Sequence, residues 1–417
     1  LEFRGIQRAA RGDYPPAELS PDAATLRYVG LDGILRSTVI CFSMPPSSLT
    51  EEKARFDVRL LPHQGFELYL KVGTEPSRPG RERYRAAAVR ARGAMRARRR
   101  SGGRLRGGGL LFDAWLERSR TDIALLASEL PSGRYPYAGI PWFSTPFGRD
   151  AIITALQTLW VDPGLARGVL AFLAERQAQE ISAFRDSAPG KIMHESRKGE
   201  MAALGEIPFG LYYGGVDTTP LFVMLAGRYF RRTGDLTMLE TLWPVLRQAM
   251  EWIERSCDAD ADGLLAYARG EASGLSNQGW KDSGDSIFHE DGSMPAGPIA
   301  LVEVQGYVFS AFEAMSSLAA VRGEEEAAIR WRIRAERMRE TVETRFWDEV
   351  LDFYALARDG DGRMCRVRAS NPGHLLYVGL PQPARAQRVI AQLCSAPFDN
   401  GWCVRTLAGD QPRFNPM

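Results

Sequence analysis

Two hydrophobic periods divide the chain. From about residue 24 to residue 73 apolar positions alternate with polar ones, the spacing of half-buried strands. Phe56, Val58 and Leu60 follow this rhythm, and Phe66, Leu68, Leu70 and Val72 resume it beyond His63-Gln64-Gly65. Pro62 and Gly65 interrupt the pattern where a hairpin turn belongs. The pattern predicts an antiparallel β domain over 1–76, incomplete at its N-terminus. From Leu110 the period lengthens to that of a helix and stays there. It predicts helices over 111–129, 148–160, 163–181, 218–233, 236–256, 299–321, 323–347, 372–379 and 383–395. Asp162-Pro163 opens one helix, Thr233-Gly234-Asp235 closes one and caps the next, and Gly323 separates another pair.

The connections between these helices are of two kinds. Short ones fall at 161–163, 233–235 and 322–323. Long ones at 130–147, 182–217, 257–298 and 348–371 are rich in Trp, Tyr, Gly, Asp and Asn. Helical hairpins wound into a ring collect their short turns at one end and their long loops at the other, where the loops form a concave site. The expectation is therefore a mainly α chain, an (α/α)6 toroid over 110–417 preceded by the β domain. About nine predicted helices fall short of the twelve that close six hairpins. The sequence also starts at Leu1 without an initiator Met and stops at Asn415-Pro416-Met417. Both features suggest a fragment, truncated before the closing helices of the ring.

Composition refines the picture modestly. Apolar residues make up 45% of the 417 and charged residues 25%, the mix of a globular protein with a full core. The formal charge of +2 hides one uneven stretch. Between Arg78 and Arg106 lie twelve arginines opposed only by Glu82. Ala86, Ala87, Ala88 and Val89 interrupt them, a Gly-rich run follows from Ser101 to Gly109, and no aromatic interleaving offers base stacking. An Arg-rich linker or connecting helix over 77–109 is the expectation, rather than a nucleic-acid surface. No uncharged apolar run is long enough to span a membrane, so no membrane partner is expected. Five cysteines without a CxxC spacing read as reduced thiols in a cytoplasmic protein. With four histidines there is little material for a metal centre, and no metal or cofactor is expected.

The long loops carry the chemistry. They hold Tyr135-Pro136-Tyr137, Ile140-Pro141-Trp142-Phe143-Ser144-Thr145-Pro146-Phe147-Gly148-Arg149-Asp150, Tyr212-Tyr213-Gly214-Gly215-Val216-Asp217 and Gly279-Trp280-Lys281-Asp282-Ser283-Gly284-Asp285. Later come Glu303-Val304-Gln305-Gly306-Tyr307, Asn371-Pro372-Gly373-His374 and Asn400-Gly401-Trp402. Aromatic rings beside planar carboxylates, amides and a guanidinium suit a sugar, whose C–H faces stack while its hydroxyls are bonded in pairs. Glycoside hydrolysis needs two carboxyl groups, about 6.5–9.5 Å apart for inversion and about 5–5.5 Å for retention. Asp282, beside Trp280, has a neighbour able to favour its protonated form, as a general acid requires. Asp285 is the runner-up, and a cap or turn role is open for either.

The long motifs around Trp142, Trp280 and Glu303 resemble the bacterial amylo-α-1,6-glucosidase (glycogen-debranching-type) family, which shares the (α/α)6 barrel with other inverting glycosidases. The resemblance runs from about Tyr135 to the end and, more loosely, through the β domain. It implies inverting attack by water on a terminal α-glucosyl group of an α-glucan or α-glucoside, without a cofactor. It also implies that Asp282 is the general acid and that Arg149 and Asp150 hold the hydroxyls of the sugar whose bond breaks. Trp142, Phe143, Asp217, Trp280, Lys281, Glu303, Gln305, Asn371 and His374 would line the same subsite. Glu303 also reads as a polar group at a helix start, and Tyr307 as core. The family's general base is a glutamate after a stretch continuing from Asn-Pro-Met, so the base is expected to be absent from this chain. The fragment should then bind sugars weakly and hydrolyse them hardly at all. A hydrolase of another glucoside (trehalose or glucosylglycerate type) and a non-catalytic glycan-binding toroid are the alternatives.

Two motifs are set aside. Asp258-Ala259-Asp260-Ala261-Asp262-Gly263 matches half a calcium loop, but its twelfth position is Arg269. His194-Glu195 opens like a zinc-protease motif, with Lys198 where the second histidine belongs.

Overall fold

The computed structural model describes residues 7–416; Leu1 and Met417, the two ends read above as cut points, lie outside them. The chain divides into two units: Leu1–Arg100 with Lys198–Ile207, and Ser101–Arg197 with Pro208–Met417.

In the first unit β1 (Glu18–Ser20), β2 (Ala23–Val29), β3 (Leu35–Phe42) and, after the short pair β4 (Ser48–Leu49) and β5 (Ala54–Arg55), β6 (Leu70–Gly73) build the expected antiparallel sheet. The sheet order is β1-β2-β3-β6. Gly33, at a φ of 71°, closes the β2–β3 turn by donating its N–H to the Gly30 carbonyl at 2.9 Å. Ala24, Val39, Cys41 and Phe42 supply the buried face. The predicted hairpin between Phe56–Leu60 and Phe66–Val72 does not form. Only Leu70–Gly73 is a strand, and it pairs with Val39–Phe42 of β3 instead. Val58, Leu60 and Leu61 stay exposed, so the alternation there has no buried face to fix a register. Glu200 is a hub of this unit, accepting from the Tyr28 hydroxyl at 2.7 Å and from Leu31 N–H at 2.6 Å. The arginine-rich stretch is helical as α1 (Arg81–Arg100), with no buried side chain.

The second unit opens with α2 (Leu110–Leu126) and the hairpin β7 (Ala127–Leu130) and β8 (Gly133–Pro136). Helices α3 (Gly148–Thr158) and α4 (Pro163–Ala174) follow, then the single turn α5 (Glu200–Ala203) in the segment that belongs to the first unit. Next come α6 (Thr218–Thr233), α7 (Leu236–Asp258), α8 (Val302–Val321), α9 (Glu325–Arg345), α10 (Pro372–Val378) and α11 (Pro383–Leu393). Helices α3, α6, α8 and α10 touch in that order as an inner row, and α4, α7, α9 and α11 each back onto the helix before them. This is the six-hairpin toroid pattern, present as four successive hairpins among the described residues.

Helix ends follow local chemistry. Gly234, left-handed at φ 65°, closes α6, and Asp235 caps α7 by accepting from Met238 N–H at 3.0 Å while the Tyr229 hydroxyl donates to it at 2.8 Å. The helix predicted over 163–181 stops at Ala174. Beyond it Ala178 N–H donates to the Lys191 carbonyl, and Gly190 N–H to the Ala178 carbonyl, both at 2.9 Å, which holds the chain extended. No helix of the described residues is long and apolar enough to cross a membrane.

Helices α6 and α8 meet at Gly227, where an added Cβ would lie 2.5 Å from Cβ and 3.2 Å from Cα of Ala314. Gly227→Ala gains about 1 kcal/mol of helix propensity but overpacks a rigid contact at about 1–3 kcal/mol. The contact should win, so the variant should unfold at lower urea concentration than the wild type. A midpoint at or above the wild-type value would show that the helices part freely.

Candidate active site

The N-termini of the four inner helices converge. Arg149 and Asp150 lie in the first turn of α3, Asp217 is the N-cap of α6, Glu303 sits in the first turn of α8, and Asn371 is the N-cap of α10. Helix N-termini carry partial positive charge and unpaired N–H groups, so they favour the carboxylates gathered there. Buried Arg149 pairs with Oδ2 of Asp217 at 3.0 Å and donates from Nη1 to the Gly279 carbonyl at 2.6 Å. That last bond ties α3 to the loop carrying Trp280, Lys281 and Asp282.

Several buried polar atoms at this end have no hydrogen bond: Arg149 Nη2, Trp280 Nε1, both Glu303 carboxylate oxygens, and both polar atoms of the Asn371 amide. Leaving such a group unsatisfied costs about 1–3 kcal/mol, and a folded core tolerates few of them. Their concentration in one place leaves several hydrogen-bonding atoms available to a polar ligand. Burial pushes the Glu303 carboxyl up and the Lys281 ammonium down, each toward its neutral form. Burial also raises Asp217, with Arg149 opposing. Burial opposes the charge on Arg149 too, but Asp217, Asp150 and Asp282 more than offset it. Asp150 keeps an exposed edge, yet crowding around its carboxyl raises its pKa, with Arg149 opposing and Asp282 adding.

The other expected residues fall in distinct places. Asp282 and Asp285 are both exposed, so Trp280 does not enclose the Asp282 carboxyl as the sequence suggested. Both line an open cavity of about 690 Å³ with Trp280 and Lys281. Lys281 crosses the Trp280 ring 5.1 Å from its centroid and donates to the Thr406 carbonyl at 2.6 Å. His374 leans on Trp280 with ring centroids 5.9 Å apart. Trp142 is 58% exposed, its carbonyl held by Arg197 at 2.9 Å, and the Arg197 guanidinium also lies over Phe143. Gln305 departs from expectation: its amide accepts from Leu265 N–H and donates to the Leu265 and Leu301 carbonyls, all at 2.9 Å. With its amide engaged by the backbone, Gln305 braces the framework instead of facing a sugar.

Residues 147–417, well over half of the chain, match the model of the mannosylglycerate hydrolase MGH1-like glycoside hydrolase domain. The chain belongs to that family. Residues 1–71 match the N-terminal domain of some glycogen debranching enzymes. No curated protein matches. Among solved structures, the GH63 mannosylglycerate hydrolase of Thermus thermophilus, solved with Tris and D-glycerate, is similar at a TM-score of 0.50 and 14% identity, over 68% of this chain and 78% of that one. A sialidase is similar at 0.51 and 13%, over 96% of this chain and 37% of the other. The GH78 rhamnosidase of Bacillus sp. GL1 gives 0.47 and 17%, over 62% of this chain and 24% of the rhamnosidase. The chain thus spans about a quarter of the rhamnosidase and under half of the sialidase. At such identities these likenesses concern the fold alone.

Within this MGH1-like domain, the supports of the loop that carries Asp282 were missed from sequence. Asp186, left-handed at φ 49°, accepts from the Tyr212 hydroxyl at 2.6 Å, from Gly270 N–H at 2.7 Å and from the Gln278 amide at 3.3 Å. Asn277 donates to the Ser283 carbonyl at 2.5 Å and to the Ser286 hydroxyl at 3.1 Å, closing the turn around Asp282. A lone Asp in a Phe-Arg-Asp-Ser context gives no signal of this role. The calcium-like loop is accounted for by arginines: Asp258 pairs with Arg334 at 2.6 Å, and Asp262 with Arg345 and Arg358 at 2.7 Å each.

Two variants test this electrostatic design. Arg149→Ala strands Asp217 as a buried charge and should destabilise by about 3–5 kcal/mol in urea unfolding; a loss under about 1 kcal/mol would mean the pair is water-exposed. For Glu303 the folded pKa lies above the unfolded value of 4.5, so its contribution to stability is complete below that pH and is lost as pH rises through the raised value. Glu303→Gln should therefore gain on the wild type with rising pH, by about 1.4 kcal/mol per unit of raised pKa. Thermal unfolding across a pH series reads this, and a flat difference would contradict it.

Proposed function

We propose that this site hydrolyses terminal α-glucosidic bonds of glycogen-like or oligosaccharide substrates with inversion, as an amylo-α-1,6-glucosidase-like enzyme. One observation carries the reading: buried hydrogen-bonding atoms of Arg149, Glu303 and Asn371, without protein hydrogen bonds, beside the Trp280 ring. A glucosyl ring offers paired hydroxyls for the first set and a C–H face for the second. The match of residues 1–71 to the N-terminal domain of some debranching enzymes supports the glucan assignment. In this reading Asp282, exposed at the cavity mouth, protonates the leaving oxygen, and Arg149 and Asp150 hold the sugar. Asp150, Asp217 and Glu303 belong to the sugar-holding set, so none of them is assigned as the base that activates water.

A second reading is a hydrolase of another small glycoside on the same scaffold. The name of the matched family favours it, since that family is described by mannosylglycerate hydrolase. A panel of isomaltose, maltose, glycogen limit dextrin, trehalose, glucosylglycerate and mannosylglycerate, assayed on the whole protein that carries this chain, separates the two. The expected result is preference for an α-glucan, with the β-anomer appearing first in proton NMR. Asp282→Asn should lower turnover about 10²–10⁴-fold. Retention of the anomer, or an undiminished Asp282→Asn enzyme, would sink the proposal; hydrolysis of mannosylglycerate alone would move it to the second reading.

A further inference from the structure

Tyr307 lies one turn beyond Glu303 on α8, on the same helix face, and is 2% exposed. Its hydroxyl is 2.8 Å from Nδ1 of His374 in the first turn of α10, and it makes no other hydrogen bond among the described residues. A buried phenol without an acceptor loses about 1–3 kcal/mol, so the O–H of this one is directed at His374. The O–H therefore donates, Nδ1 accepts, and the proton of the imidazole sits on Nε2. The His374 ring is held between two others: Trp280, tilted at 43° with centroids 5.9 Å apart, and Tyr307, edge-on at 87° and 5.8 Å. All three line one cavity of about 510 Å³ beside the buried polar cluster.

We propose that Tyr307 is a positioning residue, whose donation to Nδ1 fixes His374 as a neutral Nε2–H donor for a sugar hydroxyl beside the Trp280 ring. The proposal rests on the reading of this site as a glycoside site. The groups around the dyad favour the same state. Burial first, and then the Lys281 ammonium, lower His374 to about 4. Burial also raises Tyr307 far above its ordinary value; Glu303, Asp217 and Tyr377 add to this and Arg149 opposes it. Across the neutral range the tyrosine keeps its proton and the histidine gains no second one. A donor that neither titrates nor turns presents the same face to each incoming sugar. Sequence reading placed Tyr307 in the core; it is core, and it also sets the tautomer of a wall residue.

Long-range proton–nitrogen correlation on ¹⁵N-histidine-labelled protein tests this, because the chain has only four histidines and His374→Gln identifies the relevant signals. The wild type should show an unprotonated Nδ1 and a protonated Nε2 at His374, unchanged between about pH 5 and pH 8. In Tyr307→Phe the His374 titration midpoint should rise by about one unit, because nothing then competes with protonation at Nδ1. For the substrate found on the panel above, KM should rise about tenfold with kcat nearly unchanged, as expected of a lost ground-state contact. A protonated Nδ1 in the wild type overturns the proposal, as does an unmoved midpoint in the variant. Should Tyr307→Phe fail to fold, the wild-type spectrum decides alone. Should no glycoside be turned over, the function reading falls while the tautomer is still measured.

Discussion

Arg149 and Asp217 are buried together at 3.0 Å, and the open end of the helical unit is arranged around the cost of keeping them there. Removing both charges from water costs several kcal/mol per ion, which their attraction offsets only where further polar contacts help. Asp217 sits on the N-terminus of α6, whose partial positive charge favours a carboxylate. Arg149 takes the Gly279 carbonyl, and in doing so it fixes the backbone just before Trp280, Lys281 and Asp282. The pair is thus both a charge pair and a joint between α3, α6 and the loop that carries Asp282. Glycine at 279 lets the loop pass close to Leu301, whose Cδ1 would stand 2.3 Å from a Cβ there.

The inner row of helices explains why polar groups collect at one end without collapsing on each other. Four inner helices packed side by side each carry an N-terminus that is a natural seat for Asp, Glu or Asn. The helices are held apart by apolar packing along their length, including the almost fully buried α8. Apart from the Arg149–Asp217 pair, the side chains at their ends leave buried polar atoms without hydrogen bonds. Asn371 shows this: it draws Glu303 toward the charged form, yet its amide makes no well-formed hydrogen bond. Rigid spacing of the scaffold is what keeps the cluster unsatisfied.

The fold was legible because helical periodicity is long-ranged and the caps are explicit, as at Gly234-Asp235. It failed where a pattern had no partner face, as between Phe56 and Phe66, where alternation without burial specifies no register. Most of the site residues stand at the inner-helix N-termini, but motif reading treated a run of residues as one surface. Glu303 and Gln305 are two apart on a helix and so point to different sides, as Glu303 and Tyr307, four apart, do not. That geometry was available from the sequence and would have separated the brace from the wall. The Arg149–Asp217 pairing and the Asp186 hub were not available, since both join segments far apart in the chain and carry no local signal.

A scaffold that leaves six polar atoms of four side chains buried without hydrogen bonds forgoes stability at those positions. The same atoms gain most when a ligand meets them, because no protein hydrogen bond to those atoms must be broken first. Tyr307 and His374 work in the opposite sense, satisfying one buried donor so that the other ring nitrogen keeps a defined proton. Unsatisfied groups supply affinity for hydroxyls in general. Groups with a fixed tautomer supply direction, distinguishing a hydroxyl that must accept from one that must donate. Both kinds of group stand side by side here on α8 and α10.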